Sequence, residues 1–241
     1  NQKLIADYLL LALQNKRYRE EDQKWLQHIQ PAHFPAYAQL PLIKAYRDKK
    51  QFPIALNVLN LFQNKNNSSD LEILKAVLLA ENQQKAEAIA QLKKIDIEQL
   101  NHDQLNQLSY AYRISDQPIQ ALAVIRKSNI ETANTASEQE YLNVLMALGA
   151  YQQVLTLIQK NPALDSTHAV TRQALLGQFS ESIKNAIKNQ KHLAYQGQAD
   201  SQSYAHLDQI LENASVFESE LKQDPNMYRR FRYEYIYGLS Y

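Results

Sequence analysis

Tyr46-Arg47-Asp48-Lys49-Lys50-Gln51-Phe52-Pro53-Ile54-Ala55-Leu56 ends one apolar-periodic segment, turns through Asp48 to Lys50, and sets an aromatic residue, Phe52, ahead of a small one, Ala55. The arrangement returns along the chain. Tyr46, Leu79, Tyr112 and Leu145 stand 33 residues apart, and Ala55, Ala88, Ala121 and Val154 each follow by nine. Tyr112 to Ala121 repeats the turn with Asp116 and Pro118, and Leu148-Gly149-Ala150-Tyr151 supplies the glycine that a helix C-terminus favours, then an aromatic. An earlier copy, offset by 34, is read at Lys16-Arg17-Tyr18, with Trp25 in the bulky place on its second helix. One amphipathic hairpin cannot bury its own apolar stripe, so neighbours stack and small residues take the close crossings. A period in the low thirties with this punctuation is the mark of tetratricopeptide-type hairpins.

The cadence stops after Pro162. Residues from about 166 to 196 read as helix with Gly177 as the weak point. Gln196 to Ser203 carries loop residues, and 204 to 222 is helical with Leu207, Ile210, Leu211, Phe217 and Leu221 on one stripe. Asp224-Pro225 then opens a last helix, Met227 to Leu239, with a capping acid ahead of proline. Four glycines, seven prolines and no period-two alternation leave little room for strands. The expected fold is all-α: a tetratricopeptide-like solenoid of about five hairpins over residues 1–165, continued by longer helices over 166–241.

Composition narrows the function. Twenty-six basic and 25 acidic residues give a net charge of +1, so no long-range field favours nucleic acid or an anionic membrane. The chain has no cysteine, which removes disulfide and thiolate chemistry. The run Tyr8-Leu9-Leu10-Leu11-Ala12-Leu13 is too short to span a bilayer, and Asn1-Gln2-Lys3 does not begin a signal peptide, so a mature or trimmed piece of a longer protein is expected. The six histidines are scattered without metal-ligand spacing, and no phosphate-cradling glycine loop or nucleophile elbow occurs. Glu20-Glu21 and Glu218-Glu220 read as solvated helix-face acids rather than an acid/base pair. The chain is therefore read as a non-enzyme that uses no metal or cofactor.

Binding is expected on the first helix of each hairpin. If tetratricopeptide geometry holds, the positions two, six and nine before the repeating Tyr or Leu, and the one after it, face a groove. In successive copies these are Tyr37, Leu40, Lys44 and Arg47; Asp70, Ile73, Val77 and Ala80; Asp103, Asn106, Tyr110 and Arg113; then Gln139, Asn143 and Met146. Tyr37 and Tyr110 offer flat rings with polar tips, and the acids and amides offer short hydrogen-bonding groups. A neutral or partly cationic oligosaccharide needs that mixture, since sugar rings stack on aromatics while hydroxyls and ammonium groups pair with amides and carboxylates. The same residues also fit an ordinary solvated face. A second patch, Tyr228-Arg229-Arg230-Phe231-Arg232-Tyr233-Glu234-Tyr235-Ile236-Tyr237, interleaves arginine with aromatics and fits either a stacking surface or a half-finished repeat.

The order of segments resembles one family. Degenerate hairpins end in Ala147-Leu148-Gly149-Ala150-Tyr151-Gln152-Gln153-Val154-Leu155 and close at Asn161-Pro162. A long non-repeat helix pair with Ala194-Tyr195 near its loop follows, then an arginine- and aromatic-rich helix ending in Gly238-Leu239. This looks like the periplasmic region of the poly-β-1,6-N-acetylglucosamine export porins. The resemblance implies a location on the periplasmic side of the bacterial outer membrane, ahead of a β-barrel, and a role in biofilm matrix secretion. It implies that the helices bind and guide partly deacetylated poly-N-acetylglucosamine and dock the periplasmic deacetylase; no nucleic acid is expected. It assigns no individual residue, so the groove residues rest on repeat position alone. A generic protein-docking scaffold is the alternative; several cations in register, suited to a carboxylate terminus, would favour it, and only Lys44, Arg47 and Arg113 are available.

Overall fold

The computed structural model describes residues 1–63, 68–128, 135–198 and 201–241, with the backbone alone for 201–203. It is all-helical, and no strand occurs among the described residues. The chain divides into two compact units, Asn1–Glu140 and Tyr141–Tyr241.

In the first unit, helix α1 (Gln2–Gln14) is followed by a 3₁₀ segment (Glu20–His28), then α2 (Ala36–Asp48) and α3 (Phe52–Gln63), α4 (Ser69–Glu81) and α5 (Lys85–Leu92), and α6 (His102–Ile114) and α7 (Pro118–Arg126). The pairs α2/α3, α4/α5 and α6/α7 pack as hairpins, α1 lies on α2, α3 on α4, and α4 on α6. Each first helix stops in the same way. Lys16, Lys50, Gln83, Asp116 and Gly149 all take left-handed backbone, with φ between 54° and 70°. The next N–H reaches back five residues: Arg17 to Ala12 O, Gln51 to Tyr46 O, Gln84 to Leu79 O, Gln117 to Tyr112 O and Ala150 to Leu145 O, at 2.9–3.0 Å. This is the Schellman cap. The repeating Tyr or Leu is thus the residue whose carbonyl receives the closing bond. Starts are capped too: Asn101 accepts from Gln104 N at 2.9 Å while the Gln104 side chain accepts from Asn101 N at 3.0 Å.

Ala55, Ala88 and Ala121 are fully buried, where the sequence put close crossings. Tyr46 is also fully buried, and its hydroxyl donates to that of Tyr18 at 3.1 Å; burial pushes the Tyr46 phenol far above its usual range.

The first copy departs from expectation. Its second element is the 3₁₀ segment rather than an α-helix, and Trp25 remains 37% exposed, edge-on to Tyr8. Six charged or amide residues among its nine leave too little apolar surface to dock a full helix. Asp22 fastens the segment instead, accepting from Tyr8 Oη at 2.6 Å and Arg19 N at 2.8 Å. These bonds, the Tyr8 hydroxyl first, hold its carboxyl below the ordinary range.

The division between the compact units falls inside α8 (Thr135–Ala147). The reason is a shared core: Leu142, Leu145, Val154, Leu164 and Ala174 cluster together, joining α8, α9 (Tyr151–Lys160) and the first turns of α10 (Ala169–Tyr195). Gly177, read as a weak point, is a point of closest approach. A Cβ there would stand 2.4 Å from the Tyr151 ring. The stripe over 204–222 is carried by two helices, α11 (Ser201–Glu212) and α12 (Ser215–Leu221), followed by α13 (Pro225–Leu239). Phe179, Phe217 and Phe231 knit α10, α12 and α13, with the Phe217 ring centroid 5.6 Å and the Phe231 centroid 4.8 Å from that of Phe179. Asp224 caps α13 through Asn226 N and Met227 N, as its Asp-Pro start implies. Loop positions 199–200 lie outside the described residues.

Two outcomes test this account. Gln83→Val should lower stability by about 1–2 kcal/mol in urea unfolding, because a β-branched residue resists left-handed backbone, whereas Gln83→Gly should be neutral or stabilising. At α10, the buried Asp165 accepts from Val170 N, Thr171 N and Thr171 Oγ1 at 2.7–3.1 Å. Burial alone would raise its pKa, but these bonds outweigh burial and hold it low. A folded-state pKa below the unfolded value gives stability that is present above the carboxylate range and lost as pH falls through it. Asp165→Asn should therefore cost about 1 kcal/mol at neutral pH and flatten the acid limb of the stability curve.

Candidate functional site

The first helices of the first unit bring part of the expected face together. Arg47 on α2 grips Glu81 on α4 through two bonds, Nε and a terminal nitrogen each 2.8 Å from a carboxylate oxygen. Tyr110 on α6 donates to the same Glu81 carboxylate at 2.9 Å. The guanidinium of Arg113 lies 5.3 Å over the Tyr110 ring and clamps Glu140 with two bonds of 2.9 Å. Arg47, Glu81, Tyr110, Arg113 and Glu140 therefore form one chain of charge-assisted contacts running from α2 to α8. Burial first, then the bond to Glu81, raises the Tyr110 phenol, and Glu81 raises Arg47.

These contacts neutralise both arginines. What the face still shows to solvent is Tyr37, Lys44, Asp70 and Asp103, all exposed. Tyr37 donates to Asp7 Oδ1 at 2.7 Å, and Gln104 donates to Asp70 Oδ1 at 2.7 Å. Asn106 is half-buried, and its side-chain oxygen is enclosed without a donor. Gln139 and Asn143 sit one turn apart on α8, both half-buried; Asn143 belongs to the second unit. Chemically the face combines exposed carboxylates, one exposed ammonium and one exposed ring, with its guanidinium groups already spent on carboxylates.

The positional rule fails on α4. Ile73, Val77 and Ala80 are 1–2% exposed, not groove-facing; Ile73 and Val77 join Leu105, Leu108 and Ala111 in packing α4 on α6. Asp70, on the first turn, stays exposed and meets α6 only through Gln104 among the described hydrogen bonds. The rule also missed Asp7, Glu81 and Glu140. The signal lay in charge rather than phase: arginine follows the marker in two alternate copies, and an acid stands two places after the marker in the copy between them.

A concavity of about 860 Å³ opens elsewhere on this unit, between the 3₁₀ segment and α3. Leu26, Ile54, Val58 and Leu61 floor it, and Glu20 and Lys24 edge it. No residue of the expected groove lines it. Among the described residues no group of histidine and carboxylate side chains is placed to hold a metal ion, and no helix is long and apolar enough to cross a membrane.

No protein-family model matches this chain, and no curated protein matches it significantly.

The ion-pair chain has a measurable signature. Glu81→Ala should cost about 1–3 kcal/mol in urea unfolding, since it strands Arg47 and the Tyr110 hydroxyl together. The upper end is discounted because the Arg47 side chain is 29% exposed. A double-mutant cycle with Arg47→Met should show strong non-additivity, the pair costing much less than the sum of its parts.

Proposed function

We propose that the chain is a tetratricopeptide-like helical-repeat domain that binds a partly cationic polysaccharide, partly deacetylated poly-N-acetylglucosamine, along the first helices of its first unit. In this reading it guides the polymer during export on the periplasmic side of an outer membrane and docks the deacetylase. One observation carries the choice of ligand charge: Arg47 and Arg113 are neutralised by Glu81 and Glu140, while Asp70 and Asp103 remain exposed. The uncompensated groups on the face are thus mainly acceptors, and they favour an ammonium-bearing ligand over a carboxylate terminus. Exposed Tyr37 adds a ring for stacking. The segment order that resembles the export porins supports the polymer's identity.

A protein-docking scaffold is the second reading, favoured by the apolar-floored concavity beside α3. NMR titration separates them. Glucosamine oligomers should shift signals of Tyr37, Asp70 and Asp103 with millimolar to micromolar affinity, as a shallow wet surface permits, and added salt should weaken the effect. Asp103→Asn should lose more affinity for glucosamine than for N-acetylglucosamine oligomers. Equal response to both oligomers, or shifts confined to the α3 concavity, would overturn the polysaccharide reading.

A further inference from the structure

Helix α13 buries Phe231, Glu234 and Gly238 on its inner side. Its outer half presents Arg229, Arg230, Arg232, Tyr233, Ile236 and Leu239, and no acid. Tyr233 is 70% exposed, Ile236 58% and Leu239 60%. These positions recur at helical spacing, so cations and apolar groups share one continuous face. Arg232 leans over the Tyr235 ring and lies in the field of Glu218, whereas neither Arg229 nor Arg230 has an ion pair among the described residues. Lys191 of α10 extends the positive edge, its ammonium against the Tyr241 ring and accepted by the Tyr241 hydroxyl.

Exposed aliphatic side chains flanked by unpaired guanidinium groups and tyrosines match an interface with two layers: anionic oxygen outside, hydrocarbon just beneath. We propose that the outer face of α13 docks on an anionic lipid surface. Arginine pairs there with headgroup phosphates, tyrosine occupies the headgroup level, and Ile236 and Leu239 enter the acyl boundary. A single-stranded nucleic acid would use the arginines and rings but leave the two aliphatic residues in water. A cationic saccharide would be repelled. The inference does not rest on the polysaccharide reading, which concerns the other unit.

Co-sedimentation of the full chain with vesicles tests it. Binding is expected to vesicles of equal parts phosphatidylglycerol and phosphatidylcholine, not to phosphatidylcholine alone, and should fall with added salt. The double variant Arg229→Glu/Arg230→Glu should weaken it at least about tenfold, and Ile236→Asp should weaken it in the presence of an unchanged helix content by circular dichroism. Lys94→Glu, in the other unit, should leave it intact. Absence of binding, or binding indifferent to the α13 variants, would overturn the proposal. So would tighter binding of an oligothymidylate that Ile236→Asp does not affect, or full displacement from vesicles by millimolar inorganic phosphate.

Discussion

The cap that ends each first helix is the constraint on which the remaining structure depends. A left-handed residue at Lys16, Lys50, Gln83, Asp116 and Gly149 turns the chain within three residues and returns an N–H to the carbonyl five positions back. The turn delivers the second helix against the first with its alanine at the crossing. Four of the five turns carry a residue other than glycine, each strained by about a kcal/mol relative to right-handed backbone. That strain persists because the closing hydrogen bond and the burial of Ala55, Ala88 and Ala121 outweigh it. A sixth use of the same cap, at Gly197, ends α10 outside the repeat.

A second layer of organisation runs across the hairpins. Arg47, Glu81, Tyr110, Arg113 and Glu140 link successive first helices through side chains that are half-buried or buried. Apolar packing between α4 and α6 sets how closely these helices approach, and the bidentate pairs add direction to contacts that hydrophobic burial leaves non-directional. The face is consequently polar without being free: most of its capacity for strong pairing is consumed internally, which restricts any ligand to the exposed acids, Lys44 and Tyr37.

Much of this was legible in the sequence where the determinant is local. The cap spans six residues, so Asp48 to Lys50, Asp116 and Gly149 announced it, and Asp224-Pro225 announced α13 for the same reason. The longer-range features were not. Whether Ile73 faces solvent depends on α6, 32 residues further on, covering it, and no pattern within α4 records that. Arg113 was read as groove-facing, yet its meaning changes when Glu140 arrives from another helix. Gly177 looked like a flaw because its neighbour, the Tyr151 ring, is distant in sequence. Trp25 was read into the bulky place of a second helix, but the surrounding charges make its segment a 3₁₀ turn.

Trp25 is the chain's one tryptophan, and it sits at the edge of the first hairpin beside Tyr8 and His28. Indole emission consequently reads a single address in a molecule whose hairpins contact chiefly their neighbours. If fluorescence and far-ultraviolet dichroism lose their signals together on unfolding, the first hairpin is coupled to the rest. Should the indole signal go first, the gap between the two curves would measure how far fraying has advanced from the N-terminus, giving an optical ruler for cooperativity without any label.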